Sequence, residues 1–554
     1  MTDALFPIEG VSYPTRADVA RYRKACARVE VTAGDVLRAT AMRLPEKIAL
    51  ISEDRRMTYA ELDSASERLG AALIESGLCP GDRALFQMGT VIETAVALFA
   101  CFKAGIVPVC SLPQYRGIEM RELARQSEAK AWFVQADHSA FDLVGFVGEI
   151  VSEFPAIRLA VVARGLAPAG MRGYDELMGS QTLKDARKIL AKQSVSIEDV
   201  LTFQLSGGTT GTPKIIPRFH GEYLTQSLNW ARRTAMDADL VALYALPLIH
   251  NAGQIASLFP AALLGGTLIL LQRMDPASFF DWIARQRVTH VVSIGPAVAQ
   301  MIEYADVGSH DLSSMKLLSV FNRADLLDQH LKVPCANIYG ITEGVLMTSE
   351  PDAPPEARFG TVGRPVSDLD EVCVLTPGLE REVPFGEIGE LCIKGPSTTR
   401  GYFRLPDVNR TSFTEDGFFR TGDLVKQQRV DENVCYVFVG RIKDNIDRGG
   451  EKFGVEEVET LIVRHPLVTD AKVVAMPDKV YGEKACVFLI MKPGKSILTV
   501  DELGAFLIAQ GLAKFKLPER IEGIDVFPTT RVGKLDRAAL REMVTGKLIE
   551  EERS

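Results

Sequence analysis

Thr58-Tyr59-Ala60-Glu61 opens the stretch whose reading decides the fold. A threonine followed three residues later by glutamate is a capping box, and Leu62, Leu69 and Leu73 then share one face of a helix that ends at Gly77. Pro80-Gly81-Asp82 turns the chain, and Ala84-Leu85-Phe86-Gln87 reads as a strand. The alternation returns at Ala131-Trp132-Phe133-Val134, Leu159-Ala160-Val161-Val162 and His290-Val291-Val292-Ser293-Ile294, each near a helical stretch. Strands alternating with helices are the signature of a mostly parallel, helix-covered sheet, so the expected class is α/β.

From about Gly363 the texture turns β-rich: Glu371-Val372-Cys373-Val374-Leu375, Gly389-Glu390-Leu391-Cys392-Ile393 and Tyr436-Val437-Phe438-Val439 are separated by Gly, Pro and Asp. After Arg441 a third pattern starts. A helix runs from Val455 to Arg464 and stops before His465-Pro466, strands follow at 471–475 and 485–491, and Thr499-Val500-Asp501-Glu502 caps another helix. Roughly 110 residues of this kind suffice for a small α+β domain. The expectation is a body over residues 1–440, built from three packed subdomains, and a small mobile domain over 441–554. No internal repeat or low-complexity tract is apparent.

Hydrophobic residues at 47% and charged residues at 24% of 554 describe a chain that buries a core. With 63 Lys and Arg against 72 Asp and Glu the net charge is −9, so the whole protein offers no basic footprint for nucleic acid. A small molecule or another protein is the expected partner. The 9 cysteines follow no CxxC spacing, and several lie in apolar runs such as Ala485-Cys486-Val487-Phe488. Buried, reduced thiols are expected, not a disulfide frame or zinc site. Met1-Thr2-Asp3-Ala4-Leu5-Phe6-Pro7 lacks a basic region followed by an apolar core, so the expectation is no secretory signal and a cytoplasmic location. Residues 251–272 carry no charge, yet Asn251, Gln254, Pro260 and the Gly265-Gly266 pair argue for a buried helix turning into a strand, not a membrane span.

Leu205-Ser206-Gly207-Gly208-Thr209-Thr210-Gly211-Thr212-Pro213-Lys214 is a phosphate cradle by composition. Its glycines let backbone N–H groups turn toward an anion, Ser206 and the threonines add hydroxyl donors, and Lys214 adds positive charge. Gly-Lys-[Ser/Thr] is absent, so this is not a Walker A loop, and Pro213 with Ile215-Ile216-Pro217 predicts a strand after it. An ordinary Gly/Thr-rich hairpin is the alternative reading.

The loop resembles the nucleotide-binding signature of the adenylate-forming superfamily, which joins acyl-CoA synthetases, luciferases, nonribosomal-peptide adenylation domains and stand-alone aryl acid-AMP ligases. The remaining motifs stand in that family's order. Tyr339-Gly340-Ile341-Thr342-Glu343-Gly344 resembles the adenine-stacking and magnesium segment, which implies Ile338, Tyr339 and Gly340 at the nucleotide, Thr342 as a phosphate donor and Glu343 as the Mg²⁺ ligand. Phe419-Arg420-Thr421-Gly422-Asp423-Leu424 resembles the ribose-binding segment, and Asp423 can accept both hydrogens of a diol. Gly440-Arg441-Ile442-Lys443-Asp444 resembles the hinge, with Lys443 at the pivot, and Gly533-Lys534-Leu535 the segment of the C-terminal catalytic lysine. By the same resemblance Arg441 and Lys452 contact the nucleotide, and Gly449-Gly450 borders a pantetheine tunnel. Arg448-Gly449-Gly450-Glu451-Lys452, Ile216-Pro217-Arg218 and Leu112-Pro113-Gln114-Tyr115-Arg116 look most like the 2,3-dihydroxybenzoate/salicylate-AMP ligases of siderophore pathways.

Joining a carboxylate to the α-phosphate of ATP builds negative charge on phosphorus, so cations must converge there, and a hard carboxylate such as Glu343 suits Mg²⁺. Pro247-Leu248-Ile249-His250-Asn251 falls where the family lines its acid pocket. Amino-acid-activating relatives place an aspartate there for the α-ammonium; the neutral Asn251 disfavours an α-amino acid. His250-Asn251 resembles the aryl acid ligases, whose asparagine meets a ring hydroxyl ortho to the carboxylate. Capping of the coming helix is the other reading of the pair. The chain departs from those ligases at Ala252-Gly253-Gln254-Ile255-Ala256-Ser257 and at Phe321-Asn322-Arg323-Ala324, which replaces their Gly-Gly-Ala loop between pocket and adenine. Phe321 and Asn322 add volume and polarity there, which leaves heteroaromatic, anthranilate-like and non-aromatic β-substituted acids open.

The resemblance therefore implies ATP- and Mg²⁺-dependent activation of a small aromatic acid to acyl-AMP, with release of pyrophosphate and transfer to the phosphopantetheine thiol of a carrier protein. No carrier domain follows residue 554, so a separate carrier is expected, with neither nucleic acid nor membrane as partner. An acyl-CoA ligase shares the first step. A non-catalytic binding relative would carry degenerate motifs, whereas Glu343, Asp423, Lys534 and residues 206–214 stand intact.

Overall fold

The computed structural model describes residues 3–24, 29–206, 213–294, 296–321, 323–442, 445–528 and 536–553. The helix read from Thr58 spans Tyr59–Glu75, with both halves of the capping box formed, and Gly77 follows in the left-handed region (φ +88°), where a glycine lets the chain reverse. Its Gly70 lies so close to the helix Ile92–Ala104 that a Cβ would come 2.9 Å from the Ala100 carbonyl oxygen. The chain then enters the strand Arg83–Gln87, which is buried throughout.

That strand sits inside a seven-stranded sheet, parallel to both Val107–Val109 and Ala131–Gln135. Only the edge strand Lys214–Phe219 runs antiparallel, against Val200–Ser206. A nine-stranded sheet has a parallel centre from Ile48–Ile51 through Thr267–Leu270, Val241–Tyr244, His290–Ser293 and Leu317–Val320 to Cys335–Gly340, with antiparallel strands at its edges. Helices cover these strands, which is why they read as continuous apolar runs. Each fully buried Leu, Phe or Val there contributes about 1.5–3 kcal/mol.

The β-rich stretch forms a four-stranded antiparallel sheet of Glu371–Leu375, Ile388–Lys394, Phe419–Val430 and Asn433–Arg441. A five-stranded sheet follows, begun by Asn445–Arg448 and Glu451–Gly454, with its own core around Ile446, Val458, Val473, Val487 and Leu503. Its first helix closes at Ile462, short of the predicted Arg464. The two strands predicted at 471–475 and 485–491 lengthen to the hairpin Val468–Asp478 and Gly482–Met491, because backbone pairing continues past the apolar residues into Lys484 and Glu483. The architecture is thus α/β with a β-rich part and a small α+β C-terminal part.

Residues 251–272 contain the short helix Asn251–Gly253, a π-helical turn Gln254–Leu258, the helix Phe259–Leu264 and the strand Thr267–Leu270. Among the described residues no helix is long and apolar enough to cross a membrane. The described cysteines are free thiols, most of them buried; Cys26 lies outside the described residues.

Candidate active site

The strands Val200–Ser206 and Lys214–Phe219 pair as a hairpin with Ser206 opposite Lys214, so the strand predicted after Pro213 is present. Gly207, Gly208, Thr209, Thr210 and Gly211 lie outside the described residues. Lys214 Nζ stands 4.4 Å from the centre of the Tyr402 ring, a cation–π contact. The Tyr402 phenol donates to Glu343 Oε1 at 2.8 Å, and the Thr399 N–H donates to the Glu343 carbonyl at 2.6 Å. Burial, followed by the charge of Glu343, raises the Tyr402 phenol well above the ordinary tyrosine value, so it stays protonated and donating. Thr342 is held from the other side. The fully buried Arg218 donates to the Thr342 carbonyl at 2.6 Å and to the Ser397 carbonyl at 3.0 Å, with Glu222 as its counterion at 2.6 Å.

Ile338, Tyr339 and Gly340 end the strand Cys335–Gly340. The Tyr339 phenol donates to Asp423 Oδ2 at 2.7 Å, both residues are buried, and the Tyr339 ring centre lies 5.8 Å from that of Phe438. Two of the predicted nucleotide residues therefore touch. Arg441 is placed by its backbone, opposite Asp423 in the antiparallel ladder, and Lys452 opposite Asp447 in the next hairpin. Lys443 and Lys534 lie outside the described residues.

In the predicted acid segment, His250 Nδ1 accepts from the Ala252 N–H at 3.3 Å, so the capping reading belongs to His250. Asn251 does something else: the buried Tyr223 phenol donates to its Oδ1 at 2.7 Å. Gln254 donates to the Ile249 carbonyl at 2.9 Å, and Gln204 to Cys110 Sγ at 3.2 Å, which makes a buried polar cluster behind the segment. Phe321 follows the strand Leu317–Val320 and is 37% exposed, while Asn322 lies outside the described residues. The next residue, Arg323, holds a left-handed backbone (φ +63°) ahead of the helix Ala324–Leu331. A non-glycine residue there costs on the order of 1–2 kcal/mol, so the backbone at Arg323 carries strain.

Gly449 and Gly450 also have positive φ, +64° and +94°, and a Cβ on Gly450 would come 2.5 Å from Ile294 Cδ1. Beside them Gln114 Nε2 donates to Glu451 Oε1 at 2.5 Å. Burial, with Asp447 close by, pushes the Glu451 carboxyl up to about 7. The same junction holds a Tyr115–Phe515 stack and the buried Lys516, which bridges Glu119 at 2.9 Å and Glu457 at 2.6 Å. The 449–451 turn therefore rests on the body, close backbone approach being possible because the glycines carry no side chain.

Tyr402, Arg218, Tyr223 and Gln114 are positioned as site residues that sequence reasoning did not select. Arg218 and Gln114 stood inside stretches quoted for their resemblance, whereas Tyr402 and Tyr223 carry no local signal that separates them from ordinary core tyrosines.

The model of the family described as AMP-binding enzyme matches residues 37–403, and that of the AMP-binding enzyme C-terminal domain matches residues 457–534. The sequence is 39% identical over 544 residues to pyochelin synthase PchD of Pseudomonas aeruginosa, covering 96% of each chain. It is 34% identical over 539 residues to the 2,3-dihydroxybenzoate-AMP ligase of Bacillus subtilis, covering 95% of this chain and 96% of that one. Among solved structures, apo MbtA of Mycobacterium smegmatis aligns with a TM-score of 0.73 at 32% identity, covering 96% of this chain and 98% of the other.

Proposed function

The chain belongs to the AMP-binding enzyme family, and on that footing we propose that it adenylates a small aromatic carboxylic acid with ATP and passes the acyl group to the phosphopantetheine thiol of a separate carrier protein. The observation that carries this reading is the meeting of two sets of groups. Lys214, Tyr402 and Glu343 are linked at an anion-receptive end, and Tyr339 and Asp423 are joined at a nucleoside-receptive end.

In this reading Tyr339 offers its face to adenine and Asp423 accepts from the ribose hydroxyls. Lys214, the Ser206 hydroxyl and the glycine-rich loop hold the phosphates, while Arg218 keeps the Thr342-Glu343 backbone in place. An oxygen of the acid attacks the α-phosphorus and the bond to the β-phosphate bridging oxygen breaks, releasing pyrophosphate. Lys534 stabilises the charge that develops there. The thiol then attacks the acyl carbonyl, and AMP leaves. Residues 441–554, pivoting at Lys443, supply Lys534 for the first step and the Gly449-Gly450 turn for the second.

Glu343, whose Oε1 accepts from the Tyr402 phenol, would hold Mg²⁺ as a hard oxygen ligand. Among the described residues no three His, Cys, Asp or Glu gather as a group that could hold a metal ion. When bound, such an ion neutralises phosphate charge.

ATP–pyrophosphate exchange with a panel of aryl, heteroaryl and β-substituted acids tests the reading. Exchange with aryl acids is expected, and silence across the panel despite ATP binding would overturn it. Thioester formation on free coenzyme A compared with a carrier protein decides the acceptor. Efficient acylation of coenzyme A would favour the acyl-CoA ligase reading, since the turn at Gly449-Gly450 suits the pantetheine arm that both acceptors share.

A further inference from the structure

Asn251 is the residue through which the pocket would read the group beside the carboxylate, and its amide can present either an oxygen acceptor or a nitrogen donor. Which one faces the acid is set by its neighbours. The Ile249 carbonyl can only accept, and it receives the amide nitrogens of Gln254 at 2.9 Å and Gln204 at 3.5 Å, which orients both glutamines. Burial raises the Tyr223 phenol, and the Gln204 side chain beside it works against that rise, the sense expected of an amide N–H directed at the phenol oxygen. The single phenol proton is then directed onward to Asn251 Oδ1, at 2.7 Å. The Arg218 guanidinium over the Tyr223 ring, 4.8 Å from its centre, pins the ring from behind. With Oδ1 taken, Asn251 has only Nδ2 left for a ligand, and Nδ2 has no hydrogen-bond partner among the described residues.

We propose that Tyr223 is a positioning residue that fixes the Asn251 amide nitrogen toward the acid, so that the protein selects aryl acids carrying a hydrogen-bond acceptor, not a donor, beside the carboxylate. This rests on the reading of Asn251 as an acid-pocket residue. Ring nitrogens, carbonyl oxygens and phenol oxygens qualify as acceptors; an ortho amino group does not.

Salicylate and anthranilate separate the two cases at nearly equal size. The salicylate hydroxyl donates its one proton to its own carboxylate and turns lone pairs outward, whereas the anthranilate amine donates one proton and turns a second N–H outward, against Nδ2. In ATP–pyrophosphate exchange the unaltered protein is expected to favour salicylate in kcat/KM roughly tenfold or more, since a buried donor facing a donor leaves both unsatisfied. Tyr223→Phe releases the amide to turn over, so the ratio should fall toward unity, chiefly through KM. Gln204→Leu, which removes the bond that directs the phenol proton, should lower the ratio in the same sense and serves if Tyr223→Phe fails to fold. Asn251→Ala should lower it as well. An unchanged ratio in both Tyr223→Phe and Gln204→Leu, with a lowered ratio in Asn251→Ala, overturns the role of Tyr223 alone. An unchanged ratio in Asn251→Ala overturns the pocket reading beneath it. Preference for anthranilate, or exchange with neither acid, overturns the proposal.

Discussion

The Tyr402 phenol donates to Glu343 Oε1 at 2.8 Å while its ring faces Lys214 Nζ at 4.4 Å. One side chain thus holds the Glu343 carboxylate and the Lys214 ammonium at fixed positions, from a loop far from either in the chain. Preorganised groups of this kind lower the reorganisation needed when charge develops.

Tyr402→Phe keeps the ring over Lys214 and removes the bond to Glu343. A hydrogen bond to a charged group is worth about 1.5–3 kcal/mol. The Mg²⁺ concentration giving half-maximal pyrophosphate exchange is therefore expected to rise roughly tenfold or more, with the KM for the acid little changed. A Mg²⁺ titration of both proteins checks this, and equal shifts in both constants would contradict it.

Docking of the 449–451 turn should depend on pH through Glu451. Its carboxyl is raised from 4.5 to about 7 in the docked arrangement by burial and by Asp447, against the lowering effects of Gln114, Lys516 and Arg448. A raised carboxyl favours the docked arrangement below 4.5, and that preference is lost as pH climbs to about 7. Energy transfer between dyes on the body and on the C-terminal part should show docking weaken across that window. Glu451→Gln, neutral throughout, should dock with no such dependence.

Gly450→Ala places a Cβ at φ +94° and 2.5 Å from Ile294 Cδ1. The strain of the positive φ, about 1–2 kcal/mol, belongs to the turn itself, whereas the approach to Ile294 arises only where the turn rests on the body. Acyl transfer from preformed acyl-AMP should slow roughly tenfold while pyrophosphate exchange changes little. Single-turnover transfer and exchange assays on one preparation separate the two.

Lys534→Ala should do the reverse, nearly abolishing exchange and sparing transfer from preformed acyl-AMP. Equal loss of both half-reactions would refute the division of labour between the two faces of the C-terminal part.

Arg323→Gly removes a side chain from a left-handed backbone position (φ +63°). If the local conformation is retained, stability should rise by about 1 kcal/mol, read as a higher midpoint in thermal unfolding. Any accompanying change in the KM for the acid would tie the strained loop to the pocket.

The α/β class, the helix from Thr58, the strand after Pro213 and the capped helix at Thr499 were legible because caps, turns and apolar periodicity act over a few residues. The residues Glu343, Tyr339, Asp423 and Asn251 could be proposed from the chain because their motifs are local and stand in a recognisable order. By itself the sequence determined the α/β class and the family, and singled out the groups proposed to meet a nucleotide and an acid. Tertiary structure alone decided how they are held. Tyr402 reaches Glu343 from 59 positions away, and Tyr223 reaches Asn251 from 28. Arg218 reaches Thr342 from 124, and Gln114 reaches Glu451 from 337. A buried hydrogen bond has a direction and a length that depend on where two separate strands or helices are packed. No local pattern of residues encodes that, and so neither the orientation of the Asn251 amide nor the raised Glu451 carboxyl could be read from the chain alone.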